Sequence, residues 1–315
     1  MYIGIDIGGS NMMAALTDGK GEILNKINHA MDQDWSATEL CRQIALLARK
    51  TAEIDGNLDE IKAVGVGLPG VVDNKTGKIL LSPNTSMHNT PFRALFQKEW
   101  NVPVYLGNDA NCAAIGEYWA GAAKGSDPAV IVTLGTGIGG GMVTGGKLFT
   151  GFGDAGMEIG HMCIHPNGVR CNCGSHGCWE QYGSAKALVR MTREEMQRNR
   201  KSLLWEFAEE DLFKVTARTP FQAARQDDDS AKKVLYRYHE SLAIGLTNIV
   251  NILQPELLCL SGGVSNAEDD LLLDPVRELV LARCLDKATK PKIVKASLGN
   301  NAGVIGAAML CNMLR

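Results

Sequence analysis

The sequence predicts an α/β protein of two related lobes, and three observations carry that expectation. At 315 residues the chain is about twice a typical domain of roughly 100–200 residues. A three-stranded meander with glycine turns opens it, and the same arrangement recurs from Ala129. Each copy leads toward helices and a further strand, the alternation from which layered α/β lobes are built. A chance pair of glycine-rich hairpins is the plainer alternative.

Taken in order, Tyr2 to Ile7 reads as a short apolar strand, broken by Gly8-Gly9 and resumed from Asn11 to Leu16. The Asp18-Gly19 turn leads to a third strand at Glu22 to Ile27, with no helix between the three. Leu40, Ile44, Leu47 and Ala48 share one face of a helix over Thr38 to Ala52. Ile61 to Gly67 is a buried strand ending in Gly-Leu-Pro-Gly, and Val102 to Leu106 is another. The latter delivers the chain to Asn108-Asp109, which open an Ala-rich helix running to about Ala123. In the second copy Val130 to Leu134 and Gly139 to Val143 are strands, separated by Gly135-Thr136-Gly137 and followed by the Gly145-Gly146 turn. Mostly helical sequence spans Ser184 to Leu253, with a polar break at Arg218 to Ser230. A strand at Glu256 to Leu260 stops at Gly262-Gly263. A helix at Leu271 to Leu285, a strand at Lys292 to Ala296 and a terminal helix at Gly303 to Leu314 complete the chain. The lobes are placed at residues 1–115, joined by the C-terminal helix 301–315, and at residues 116–300. No low-complexity linker parts them, so they are expected to share crossing helices and close over a cleft.

Composition narrows the function. Apolar residues make up 45% and charged residues 21%, ample for a core and against global disorder. The 32 Lys plus Arg against 35 Asp plus Glu give a net charge of -3. That balance offers no basic footprint for nucleic acid or anionic membrane, so neither partner is expected. Nine cysteines, odd in number and irregular in spacing, suit a reducing compartment better than a secreted disulfide scaffold, which points to the cytoplasm. No signal peptide is read before the first strand. The long uncharged run from Pro128 to Gly146 holds seven glycines, which makes it turn-rich and a poor membrane helix.

Three glycine turns stand at the ends of apolar strands: Asp6-Ile7-Gly8-Gly9-Ser10, Leu134-Gly135-Thr136-Gly137 and Leu260-Ser261-Gly262-Gly263. Glycine lets consecutive N–H groups converge on an anion such as a phosphate, and Asp6 could hold Mg²⁺ through water. Hairpins need glycine anyway, and only the three together, with an Asp and hydroxyls attached, favour phosphate binding. Gly135-x-Gly137-x-x-Gly140 matches the dinucleotide fingerprint by letter. It opens a strand, where that fingerprint must open a helix facing the pyrophosphate.

His161-x9-Cys171-x-Cys173-Gly-x-x-Gly-Cys178-x-Glu180 has the donors of a closed structural zinc site, three thiolates and an imidazole, with no position left for a catalytic water. His165 and His176 are rival fourth ligands, and three reduced surface thiols are the alternative. Asn108-Asp109 follows a strand and begins a helix, a place that suits a plain N-cap as well as a carboxylate that accepts a hydroxyl proton, and the two duties are compatible, one residue capping while the other faces the cleft. Glu158 and Glu180 flank the Cys-rich loop and could equally be solvated carboxylates.

Together with Gly65-x-Gly67-x-Pro69-Gly70, Gly107-Asn108-Asp109-Ala-Asn111, Glu158-Ile-Gly-His161 and Ser261-Gly-Gly-Val264, these motifs resemble the ROK family of repressors, open reading frames and sugar kinases. The likeness runs from Tyr2 to the C-terminal helix and is strongest to the bacterial cytosolic glucokinase branch. It implies two ribonuclease-H-like lobes of the actin and hexokinase superfamily, a sugar cleft between them, ATP with Mg²⁺, structural Zn²⁺, and a homodimer or homotetramer. It implies Asp109 as the base for the sugar 6-hydroxyl, and Asn84, Asn108, Asp109, Glu158, His161 and Glu180 as sugar ligands. It further implies Asp6, Gly8, Gly9 and Ser10 as the first phosphate motif, Thr133, Gly135, Thr136 and Gly137 as the second, and Gly262 and Gly263 on the nucleoside side. His161, Cys171, Cys173 and Cys178 would hold zinc. Ser10 replaces the usual Thr, and Asn11 stands where many members have Lys. Family repressors carry a helix-turn-helix segment ahead of the first phosphate motif, which here begins at Asp6, so a kinase is expected rather than a repressor. The expected reaction is phosphorylation of glucose at its 6-hydroxyl. A kinase for another hexose is the alternative, and a non-catalytic sugar-sensing protein is further removed.

Overall fold

A computed structural model describes residues 1–54, 58–285 and 289–314. Strands β1 (Tyr2–Ile7), β2 (Asn11–Thr17) and β3 (Ile23–Ala30) pair antiparallel as a meander. Helix α1 (Ala37–Glu53) is capped by the Ser36 hydroxyl, which accepts from the Glu39 N–H, and it buries Leu40, Ile44, Leu47 and Ala48 on one face. It leads to β4 (Ala63–Leu68), buried at every residue, as suits a parallel strand covered on both faces. Three short strands, β5 (Val71–Asp73), β6 (Lys78–Leu81) and β7 (His88–Thr90), form a small sheet of their own, and α2 (Phe92–Glu99) precedes β8 (Val104–Asn108). The main sheet has the order β3-β2-β1-β4-β8, with β1, β4 and β8 parallel.

Beyond α3 (Asp109–Ala120), the second meander comprises β9 (Ala129–Leu134), β10 (Ile138–Thr144) and the two-residue β11 (Lys147–Leu148). Helices α4 (Glu180–Gly183), α5 (Ala185–Arg198), α6 (Leu204–Phe207), α7 (Thr219–Arg225) and α8 (Asp229–Leu253) follow. Then come β12 (Leu257–Ser261), α9 (Leu273–Arg283), β13 (Lys292–Lys295) and α10 (Ala302–Met313). The second sheet runs β11-β10-β9-β12-β13, repeating the first in its sequence of meander, further strand and last strand. The duplication read from the two glycine-rich meanders is therefore a duplication of sheet topology.

The chain forms two compact units, one of Met1–Ile131, Gly141–Met157 and Ala296–Arg315, the other of Val132–Gly140 and Glu158–Lys295. Within the first, α10 lies directly on β1, β4 and α3. A Cβ at Gly4 would overlap the Val304 carbonyl, one at Gly65 the Ala307 carbonyl, and one at Gly116 the Ala302 carbonyl. Backbones this close exclude side chains, which is why these positions are glycine. In the second unit, α8 carries the Trp179 indole against Gly245, and the Tyr238 hydroxyl donates to the Gly183 carbonyl at 2.7 Å.

The sequence patterns differ from the structure in several places, besides shifts of a few residues at element ends such as α3, which stops at Ala120. The expected polar break at Arg218 to Ser230 contains α7, started by Pro220 in its first turn, where a missing N–H costs nothing. The small sheet and α2 lie in a stretch where no pattern was evident. The helix expected to reach Leu285 ends at Arg283, and 286–288 lie outside the described residues. Among the described residues, no helix is long and apolar enough to cross a membrane.

Candidate active site

In the first unit, β1 and β8 flank β4, and the acidic residues Asp6, near the end of β1, and Asp109, just past the end of β8, stand at those strand ends. Asn108 is the N-cap of α3: its side-chain oxygen accepts from Ala110 N–H at 2.9 Å and its amide donates to the Gly70 carbonyl at 3.1 Å. Asp109 follows as the first helical residue, and its Oδ1 accepts from the Ala110 N–H at 2.9 Å. The sequence left open which of the two residues caps; the structure gives that duty to Asn108. Burial raises the Asp109 carboxyl above the ordinary carboxylate range, against the local hydrogen bonds that lower it. Asp6 is pushed up to about 6, by burial first and by the charge of Asp109 second. A buried carboxylate raised further by the charge of a second one marks a place suited to a cation or a proton.

Asn74 is a supporting residue that the sequence reading passed over. Its carboxamide holds β8 by both backbone groups of one residue, donating to the Leu106 carbonyl at 2.6 Å and accepting from the Leu106 N–H at 2.9 Å. No motif marks it, because an Asn in a turn looks like any other Asn. Asn84 sits on the exposed turn between β6 and β7.

The first glycine turn closes with Gly8 N–H on the Asn11 carbonyl at 2.9 Å, leaving Gly9 and Ser10 exposed. A Cβ at Gly9 would touch nothing within 4 Å, and the same holds at Gly135 and Gly263 in the second unit. None of these three has positive φ, so neither packing nor backbone strain asks for glycine there. Bare backbone of this kind is open to the close approach of a ligand. Gly262, by contrast, has φ +91° and backs onto the Leu134 backbone.

Gly137 has another reason to be glycine: a Cβ there would overlap Glu180 Oε2, which accepts from the Ile138 N–H at 3.0 Å. Glu180 is therefore fastened to the second glycine turn, and it is held from behind by Trp179, whose indole N–H donates to the Ser241 carbonyl at 2.9 Å. Thr133 Oγ1 accepts from the Gly139 N–H at 3.1 Å, and the Gly135 carbonyl accepts from the Ala185 N–H at the start of α5 at 2.9 Å. Thr136 is exposed and, with Lys186, Arg190 and Gln197 of α5, lines a cavity of about 460 Å³.

His161, Cys171, Cys173 and Cys178 present four donor atoms, all within 4.8 Å of one another. His161 Nδ1 lies 3.7 Å from Cys171 Sγ, and the Cys173 and Cys178 sulfurs are 3.6 Å apart. Tetrahedral thiolates about 2.3 Å from a zinc ion lie about 3.8 Å from one another, so the donor set fits that metal. The loop folds back through Gly174 at φ +93° and Gly177 at φ +71°. The rival histidines are elsewhere: His165 meets the Tyr182 ring edge-on at 4.6 Å, and His176 lies outside the group, on a bridge to Arg170. Glu158 is exposed, at the start of the short 3₁₀ turn that carries His161. Cys163, Cys171, Cys173 and Cys178 of this loop form no disulfide.

Fold and site together define an α/β protein of the actin and hexokinase class, with glycine turns for an anion and a carboxylate pair. The ROK hexokinase of Thermus thermophilus superposes with a TM-score of 0.82 at 30% identity, covering 98% of this chain and 97% of its own. The ROK family glucokinase of Streptomyces griseus, solved in complex with glucose and AMPPNP, gives a TM-score of 0.82 at 33% identity, with 98% of each chain covered. Residues 2–313 match the ROK family model, and the chain belongs to the ROK family. The glucokinase of Thermotoga maritima is 36% identical over 310 residues, 98% of this chain and 96% of that one. The xylose repressor of Bacillus subtilis is 30% identical and covers 98% of this chain and 76% of its own.

Proposed function

We propose that this protein is an ATP-dependent glucokinase, which transfers the γ-phosphoryl group of ATP to the 6-hydroxyl of glucose. The observation that carries the reading is Asp109: a raised, partly buried carboxylate at the first position of a helix, in a chain whose full-length relatives include glucokinases. Asp109 takes the proton as the sugar 6-oxygen attacks the γ-phosphorus. The new O–P bond forms as the bond to the β-phosphate oxygen breaks, and ADP leaves. A raised pKa suits this duty, since a stronger base accepts the proton more readily. The transition state is loose and its charge rests on phosphoryl oxygens, so the remaining work is positioning and electrostatic.

The phosphates are held by backbone N–H groups of the turns at Gly8, Gly9 and Ser10 and at Gly135, Thr136 and Gly137, with Thr133 bracing the second and Gly262 and Gly263 on the nucleoside side. Asn84, Asn108, Asp109, Glu158, His161 and Glu180 bind the sugar hydroxyls. Asp6, a carboxylate raised by burial and by a like charge, fits a hard cation with oxygen ligands, and bound Mg²⁺ would neutralise phosphate charge there. His161, Cys171, Cys173 and Cys178 would hold Zn²⁺ as a closed structural site. With Nδ1 turned to the sulfurs, His161 keeps Nε2 for a sugar hydroxyl. Free thiols in this number accord with the cytoplasm, and a homodimer or homotetramer is the proposed assembly.

The test is ADP release and glucose 6-phosphate formation by the purified protein with ATP, Mg²⁺ and glucose. Glucose-dependent turnover is expected. Phosphorylation of a different hexose would keep the kinase and overturn the glucose assignment. Sugar binding with no phosphorylation of any hexose would move the protein to the sensing class that the repressor relative represents.

A further inference from the structure

Glu117 is a carboxylate with no exposed surface, on α3 two turns beyond Asp109, and the reaction above gives it no duty. A buried charge is tolerated only where hydrogen bonds replace water, and here four donors converge on it. Oε2 accepts from the Ala122 N–H at 2.9 Å, the Ser297 N–H at 3.1 Å and the Ser297 hydroxyl at 3.4 Å, and Oε1 accepts from the Leu298 N–H at 2.9 Å. Gly121 is glycine because a Cβ there would overlap Glu117 Oε2. The carboxylate thus ties the end of α3 to the segment that leads into α10.

What α10 touches gives the tie its meaning. A Cβ at Gly303, in the first turn of α10, would stand 2.6 Å from Asp6 Oδ2, so that turn is the wall against which the Asp6 carboxylate rests. The faces joining α10 to β1, β4 and α3 are glycine-lined at Gly4, Gly65 and Gly116. Such smooth contacts fix the distance between backbones well and the position of the helix along its own axis poorly. The polar clamp at Ser297 and Leu298 fixes that axial position. Asp109 is secured separately, by the Asn108 cap and the Asn108 bond to Gly70.

We propose that Glu117 is a positioning residue for phosphoryl transfer, setting the first turn of α10 and through it the Asp6 carboxylate; the step it serves rests on the kinase reading above. Glutamine at this position keeps the shape but offers one acceptor oxygen where two are used, and turns its NH₂ toward an N–H donor. Glu117→Gln is therefore expected to raise KM for ATP about tenfold and lower kcat while KM for glucose stays within about twofold, measured well below its melting temperature. Hydrogen exchange in the unliganded full chain should quicken at 297–304 and stay unchanged in β1. Gly303→Ala, which leaves the clamp intact and presses a methyl on Asp6, should reproduce the ATP defect, and it serves if Glu117→Gln does not fold. A Glu117→Gln protein that melts earlier with unchanged kinetic constants would reduce Glu117 to a structural residue. Equal rises in both KM values, or a Gly303→Ala enzyme with unchanged KM for ATP, would also overturn the proposal. If the wild-type chain phosphorylates no sugar, it is the kinase reading that fails. Calorimetric ATP affinity and exchange at 297–304 then decide the clamp, and unchanged values in Glu117→Gln overturn it.

Discussion

Replacing Asp109 by Asn removes a proton acceptor and almost no volume, so it separates chemistry from binding. Turnover should fall about 10²–10⁴-fold, the usual contribution of a general base, while calorimetric affinity for glucose changes little. A variant within tenfold of wild type would show that the proton goes elsewhere. The pair Asp109 and Asn108 was visible in the sequence as a strand end meeting a helix start, but the division of labour was not. Both residue types cap helices equally well. Only the Asn108 amide bond to Gly70, a residue 38 positions away, decides which of them turns toward the backbone.

At the scale of the element, the glycine turns and the cysteine loop lead to different expectations. Gly135 and Gly137 are two residues apart in one turn, yet a side chain at the first meets open space and at the second meets Glu180. Gly135→Ala should leave stability within about 0.5 kcal/mol, as surface changes usually do, and raise KM for ATP alone. Gly137→Val should dislodge Glu180 from the Ile138 N–H and raise KM for glucose as well as for ATP. Steady-state kinetics with each substrate varied, alongside a melting curve, checks both. For the cysteine loop, elemental analysis should find close to one zinc per chain, and Cys173→Ser should lose it. Binding energy of a structural zinc is partly folding energy, so chelation or Cys173→Ser should lower the melting temperature. It should weaken glucose binding through His161 and Glu180, which the loop carries. Full metal content in Cys173→Ser would remove the assignment.

For the whole molecule, two predictions concern selectivity and acid stability. Carboxylates and an imidazole that expect hydroxyl partners reject sugars lacking them, because the unmatched groups stay unpaired. An added acetyl group is rejected only by shape. The order of kcat/KM should be glucose, then mannose or an N-acetylhexosamine, with fructose weak, and a panel assay in which fructose leads would refute it. His239, in the middle of α8, is buried, and burial pushes its imidazole down to about 4 from an ordinary value of 6.5. Between those values the unfolded chain binds a proton that the folded one refuses. Stability is therefore full above about pH 6.5 and declines as pH falls toward 4, by of order 3 kcal/mol from this residue. Denaturant melts across that range should show the decline, and His239→Gln should flatten it.

The sequence by itself determined the duplicated α/β plan, since strand and helix periods and glycine turns are local properties and a repeated meander is a repeated local pattern. It also determined the composition of the cysteine loop, because Cys171, Cys173 and Cys178 are close in the chain and His161 is only ten residues before the first of them. Tertiary structure decided which histidine joins them, why Gly137 and Gly303 must lack side chains, that Asn74 holds β8 just before Asp109, and that Glu117 ties the end of α3 to the segment leading into α10. All but the first depend on contacts between segments far apart in sequence: Glu117 meets Leu298 across 181 residues. A pattern of residue types records what each segment can do alone. The partners that a buried carboxylate or a bare backbone will meet are set only when packing brings those segments within hydrogen-bond reach.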